Sequence, residues 1–318
     1  MTPPPPTATR SSARSTTTIV TADRVLRIQS RLTDRDHILL GWLADHGVLT
    51  STQIGHALFP SIDFAQRRLR NLTAAGVLGR FRPQKPDGGS FPYHYVLDQL
   101  GVQIVATQRG EDLPRADQAR RRRWHLTNRA NLPHLLGTNQ FFIDLAGHAR
   151  THPEAHLQRW WSAARCQQTG AFAEDGDDDV LALAYTARVR PDGHGLWAED
   201  EPSGHRLSVP FFMEYDTGTE PLPRLVDKLD GYTDLAYRTG RVWPVLFWLH
   251  SATRQHHLHQ RLTDARVRYP TATAVRDTIA YSGRSPAEAV WWLHHRPGRL
   301  LRLAELAVTV TDTRPRAG

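Results

Sequence analysis

The chain contains one cysteine, Cys166. A disulfide framework and a site built from several thiolates are therefore excluded, and a reducing, cytoplasmic setting is the expectation. Cys166 follows Arg165 in a strand-like run, which favours a structural thiol over a nucleophile. Long apolar runs are also missing. No stretch approaches the length of a membrane span, and the first residues lack the apolar core of a secretion signal. No internal repeat is found. Lysine is scarce beside arginine, a bias that fits a GC-rich genome as well as it fits phosphate binding.

What is there bounds the class. The 318 residues suffice for two domains of ordinary size, and 40% of them are apolar, enough for a sizeable core. Lysine and arginine number 40 against 32 acids, with 17 histidines besides. The net charge of +8 and a pI near 10.1 favour a polyanionic partner, of which nucleic acid is the usual one.

Residues 1–22 are a Pro/Thr/Ser/Arg tail that cannot bury a core. Residues 23–106 read as a DNA-binding unit. Thr33 and Asp34 cap a helix running to Gly47, a second helix fits Ser51 to Phe59, and a third spans Ile62 to Ala75. VLGRFRP, the turn KPDGGS and YHYVL then read as a hairpin. Three helices and a hairpin are the pattern of a winged helix-turn-helix, whose third helix enters the major groove of double-stranded DNA. That helix carries Gln66, Arg67, Arg68, Arg70 and Asn71, and the hairpin adds Arg80, Arg82 and Lys85 for phosphates. A solvated helix in a protein-binding module is the competing reading. Residues 107–131 form a basic linker with the run Arg120 to Arg123.

Residues 132–303 read as a second domain, followed by a tail at 304–318. A helix from Leu132 to Arg150 leads to strands at Leu157–Ala163, Ala184–Arg190 and Leu207–Tyr215. A helix over Pro221–Arg238 follows, then a buried strand over Val242–Leu249. A helix at Thr253–Val267 and strands near Ala272–Val275 and Val290–Leu293 close the unit. The acidic run EDGDDD at 174–179 lacks the ligand spacing of a calcium loop and reads as a solvated loop.

Helix, three strands, helix, strand is the αβββαβ order of PD-(D/E)xK nucleases, around a mixed central sheet. Asp192 closes ARVRPDG, and Glu214 and Asp216 in FFMEYDT share one strand face. Carboxylates converging there would suit magnesium or manganese, which activates water for attack on a phosphodiester. The resemblance implies Asp192, Glu214 and Asp216 as metal ligands. The position of the usual lysine holds Asp216, and Lys228 on the next helix is the residue that could reach back. Against this stand a snorkelling Lys228 and acids that pair with Arg188 or Arg190. Thr219 or Glu220 is expected to cap the following helix, Tyr232 and His134 to be structural, and His256, His257 and His259 to lie on a surface helix. Of Trp291 and Trp292, one is expected in the core and the other at an edge.

RPDG, FFMEYDTGTEPLPRLVDKLDGY and PVLFWLH together resemble the replication-relaxation family of actinobacterial plasmids and integrative elements. That resemblance, from Thr33 to Leu303, implies a winged-helix module joined to a nuclease-like domain in plasmid replication or mobilisation. A non-catalytic DNA-binding adaptor that docks a relaxase or replication protein is the alternative. A homodimeric transcriptional regulator is a third reading.

Overall fold

The computed structural model describes residues 22–127, 129–173 and 180–307. After α1 (Ala22–Gln29), helix α2 (Asp34–His46) starts at a reciprocal cap: Thr33 accepts from the Asp36 N–H while the Asp36 carboxylate accepts from Thr33. The short β1 (Leu49–Thr50) runs into α3 (Ser51–Leu58), where Thr50 and Gln53 repeat the same device. Ser61 caps α4 (Ile62–Ala74). Each cap contributes about 1 kcal/mol. The hairpin β2 (Leu78–Phe81) and β3 (His94–Leu97) follows, and β3 lies between β1 and β2 in a three-stranded antiparallel sheet.

Beyond the hairpin α5 (Gln99–Arg109) closes the first unit, and the stretch expected as a linker, 107–131, contains α6 (Gln118–Thr127). Leu126 of α6 is buried with Val48 and Val96. The arginine run is distributed among partners: Arg120 to Asp117, Arg123 to Asp98, and Arg122 to the Ala44 carbonyl.

The second half opens with α7 (Leu132–Thr151), β4 (Ala155–Ser162) and the short α8 (Ala163–Cys166) and α9 (Val180–Ala184). Then come β5 (Gly193–Asp200), β6 (Arg206–Tyr215), α10 (Leu222–Thr239) and β7 (Val245–Leu249). Helix α11 (Ala252–Asp264), β8 (Thr271–Val275), α12 (Arg276–Ser282) and β9 (Trp292–Leu293) complete it. The six strands form one mixed sheet in chain order. Strands β4, β5 and β6 are antiparallel, β6, β7 and β8 parallel, and β9 antiparallel again. The molecule is thus of mixed α/β class, with twelve helices among the described residues.

Alternation along β6 and β7 makes two cores. Phe211, Met213, Leu246 and Trp248 join a cluster that includes Phe141 and Phe142 of α7 and extends to Leu39, Leu43 and Ile54. Phe212, Val245, Phe247 and Leu249 face the other way, onto Leu225, Leu229 and Tyr232 of α10 and Leu258 and Leu262 of α11.

Three expectations need correction. Residues 185–190 form no strand: the Gln167 amide donates to the carbonyls of Ala187 and Val189, taking the place of strand partners. The strand begins instead at Gly193, so Asp192 precedes β5 and does not close a strand. Its glycines masked it; a Cβ at Gly195 would meet the Phe211 ring at 2.3 Å. His259 is buried, its Nε2 against the Thr273 hydroxyl, and not on a surface. Trp291 is fully buried and Trp292 half-buried, as expected of that pair. The acidic run at 174–179 lies outside the described residues, as do 1–21 and 308–318 of the two tails.

Arg68 of α4 turns inward, its Nε and Nη2 on the two oxygens of Asp36, which is 1% exposed. Burial works to raise the Asp36 pKa, but hydrogen bonds from Arg68 and Thr33 outweigh it and hold the carboxyl below its usual range. Arg68→Met would strand that carboxylate. The expected loss is roughly 2 to 3 kcal/mol in urea denaturation at pH 7, allowing for the partial exposure of Arg68. A loss no larger than that of an exposed arginine on the same helix would show that the pair carries no stability.

Candidate functional site

Because β6, β7 and β8 are parallel, their C-terminal ends open along one edge of the sheet. Asp216 follows β6, His250 follows β7 and Arg276 follows β8. Strand β5 runs against β6 with Gly193 opposite Met213, so Asp192 arrives at the same edge. The three acids expected from the sequence are thus delivered to one region, each with its own partners.

Glu214 is 2% exposed. Its Oε2 accepts from Lys228 Nζ at 2.9 Å, and its Oε1 accepts from the Tyr232 hydroxyl. Lys228 reaches back from α10 and also contacts Glu220 at 3.0 Å. Burial, then the nearby charge of Asp192, push the Glu214 pKa up to about 7, against the downward pull of Lys228 and Tyr232. Burial would lower the Lys228 pKa, but Glu214 and Glu220 raise it above the ordinary lysine value. Lys228 is therefore a cation throughout the neutral range.

Asp216 lies just past the strand, 4% exposed. Arg254 of α11 holds it at both oxygens, at 2.5 and 2.8 Å, and His250 stands 3.5 Å away. Arg276 donates to the Asp216 carbonyl at 2.6 Å and lies over the Tyr215 ring. Neither Arg188 nor Arg190, the arginines expected, is the partner found. The turn TGTE then leads to α10. Gly218 has φ +86, and a Cβ there would strike the His250 ring at 2.4 Å. The Thr219 hydroxyl bonds Thr217 and Glu220 bonds Lys228, so neither side chain caps the helix; Pro221 occupies the cap position.

Asp192 accepts from the Tyr215 N–H at 2.9 Å, and His134 Nε2 is 3.3 Å from the same oxygen. The hydrogen bond to Asp192 raises the His134 pKa, against the effect of burial. His134, Arg254, His250 and Arg276 belong to this edge although sequence reasoning missed them as site residues. Their partners lie 34 to 81 residues away in the chain, and no local motif marks such pairs. Cys166 is buried, its thiol pushed up to about 12 by burial.

The carboxylates can be tested against a magnesium or manganese ion. Magnesium keeps several waters and is held through one or two carboxylates with substrate phosphates. Asp192 meets that demand, its side-chain contacts among the described residues falling on one oxygen only. Glu214 is of the right kind, but both its oxygens are held, by Lys228 and Tyr232, one of which would have to give way. Asp216 does not meet the demand, because Arg254 occupies both its oxygens. Among the described residues no group of three or more His, Cys, Asp or Glu stands where it could hold a metal ion together.

The raised Glu214 pKa has a sign. Folded Glu214 keeps its proton to a higher pH than the unfolded chain does. Its contribution is therefore full below the ordinary pKa of 4.5 and is lost as pH rises to about 7. Glu214→Gln removes this titration while leaving Lys228 its contact with Glu220. Between pH 5 and pH 8 the wild type is expected to lose stability relative to the variant, by up to about 3 kcal/mol. Parallel urea-stability curves for the two proteins over that range would refute the assignment.

No helix among the described residues is long and apolar enough to cross a membrane. No curated protein and no solved structure matches the chain. The family model described as replication-relaxation matches residues 40–246, from within α2 to within β7 and across all three acids. With the match covering about two thirds of its length, the chain belongs to the replication-relaxation family.

Proposed function

We propose that the protein binds double-stranded DNA in the replication or mobilisation of a plasmid or mobile element. The observation that carries this is one face of α4 and the adjoining hairpin. Arg67, Arg70 and Asn71 are exposed on α4, with Gln66 beside them. Arg80 and Arg82 flank the Tyr93 ring, at 4.3 and 4.9 Å from its centroid, and Lys85 lies over Phe91. Exposed cations on a third helix and on a wing are what a winged helix-turn-helix offers to the major groove and its phosphates. Arg68, paired with Asp36, belongs to the scaffold of that surface.

In a gel shift, Arg67→Ala with Arg70→Ala is expected to weaken duplex binding. The salt slope should fall by about one unit for each DNA phosphate that the variant no longer neutralises. Unchanged affinity and slope would refute the assignment of this face.

A second reading adds DNA nicking, and the contact between Lys228 and Glu214 favours it. The succession α7, β4, β5, β6, α10, β7 supports a PD-(D/E)xK-like arrangement, and Lys228 stands beside the buried acid from a shifted position. In this reading Lys228 or Tyr232 releases one Glu214 oxygen, Asp192 and Glu214 hold magnesium or manganese, and Asp216 is a structural partner of Arg254. The metal would supply a polarised phosphodiester and a more acidic water. Lys228 would place a fixed positive charge at the site, and His134 would orient Asp192. With manganese and supercoiled plasmid, wild type is expected to nick and Glu214→Ala is not. Equal behaviour of the two across several plasmids would leave a DNA-binding adaptor that docks a relaxase or replication protein.

A further inference from the structure

A cleft of about 830 Å³ opens between α6 on one side and α7, β4 and the start of β5 on the other. It lies in the size range of small-molecule sites. Its cationic lining comes from three separate segments: Arg121 and Arg122 of α6, Arg129 before α7, and Arg190 before β5. His125 and His134 also line it. The acids in the wall are already engaged. Asp45 is held at both oxygens by Arg109, at 2.8 and 2.9 Å, and Asp192 by His134 and the Tyr215 N–H. Arg122 commits one donor to the Ala44 carbonyl. Arg121 and Arg190 are exposed and have no ion-pair partner among the described residues. The balance of the cleft is therefore positive.

Its inner wall carries a second signal. The Trp160 Nε1 and the Thr138 hydroxyl are buried without a hydrogen-bond partner among the described residues, and both residues line the cleft. Buried polar groups are normally satisfied, and each exception calls for an explanation. The Trp160 ring stacks on His46 and Phe142 and is committed to the core, so its N–H is the one group it has left to offer. An indole N–H only donates; a hydroxyl donates and accepts. A ligand suited to this cleft would be anionic where it meets the arginines and would carry neutral acceptors deeper in.

We propose that this cleft binds a nucleoside phosphate, its phosphates against Arg121 and Arg190 and its base or sugar toward Thr138 and Trp160. The nucleotide is either free or one unit of a DNA strand. The site uses none of the residues of α4 or the hairpin, so it stands apart from the duplex-binding face. It shares Asp192 and His134 with the acid-bearing edge, which places a bound phosphate beside that edge.

Fluorescence anisotropy of the full chain with labelled dATP, and separately with a labelled 5′-phosphorylated single-stranded oligonucleotide, tests the site. Saturable binding of dATP identifies a free nucleotide; binding of the oligonucleotide alone identifies a strand. Arg121→Ala with Arg190→Ala is expected to weaken whichever binds by about tenfold or more. Thr138→Val, nearly isosteric, is expected to weaken it roughly threefold. Arg67→Ala with Arg70→Ala is expected to leave it unchanged while weakening duplex binding. The proposal is overturned if neither probe binds, if the cleft variants bind as wild type does, or if the α4 variant is the one that loses the nucleotide. Competition by inorganic phosphate as strong as by dATP would also overturn it, since that would mean an unspecific anion patch.

Discussion

Glu214 is a carboxylate at the end of an apolar strand, almost without solvent, and much of the second half is arranged to satisfy it. A buried carboxyl needs a cation and donors at both oxygens, or it stays protonated. Lys228 and Tyr232 offset part of the cost of burial, without cancelling it, from one helix, four residues apart, so that both side chains leave the same face of α10. That face also carries Leu225, Leu229 and Leu235 into the second core. The two polar contacts thus fix the rotation and height of α10 over the sheet, which the apolar stripe alone would leave free to slide. The K-x-x-x-Y spacing after E-x-D is the sequence trace of this geometry.

The same pairing of charge runs along the edge. Asp216 sits two residues on from Glu214, yet the two acids share no cation: Arg254 serves one and Lys228 the other. The chain has only two lysines, Lys85 and Lys228. A planar guanidinium suits Asp216, whose two oxygens it can meet at once. A single ammonium suits Glu214, whose other oxygen is left for a tyrosine. Asp192 differs from both. Its bond to the Tyr215 N–H ties the start of β5 to the end of β6, and it also faces the arginine-lined cleft.

Much of this could be read from the sequence, and the limits have physical causes. Helices α2, α3 and α4 announce themselves through local caps at Thr33, Thr50 and Ser61, and α10 through its leucine spacing. Glu214 and Asp216 stand out as charges where an apolar run ends. Strand β5 was hidden because its glycines, needed for close packing against Phe142 at Gly193 and Phe211 at Gly195, look like a loop. The preceding TARVR has strand-like alternation, but a glutamine side chain satisfies its carbonyls and no neighbouring strand does. His134, Arg254 and Arg276 were invisible as site residues because a long-range ion pair or hydrogen bond leaves no mark on the residues beside it. Arg68 was misleading for the related reason that its partner, Asp36, lies far back along the chain, on α2.

The two halves of the chain meet through polar groups that bury only when correctly placed. Gln53 donates to the Leu136 carbonyl, and Asn139 to that of Val48. His46 stacks on Trp160, its pKa lowered to about 3, mainly by burial, so that it packs as a neutral ring. One apolar cluster continues through the junction from Ile54 and Leu58 to Phe141 and Phe142. An unpaired buried amide costs about 1 to 3 kcal/mol, so sliding one half over the other would forfeit several such terms at once along with the apolar packing. A rigid junction of this kind holds the exposed face of α4 at a fixed spacing from the cleft and the acid-bearing edge. Under the proposed duplex binding, DNA held on α4 would approach the second half in one register, set by the fold and not by a flexible tether.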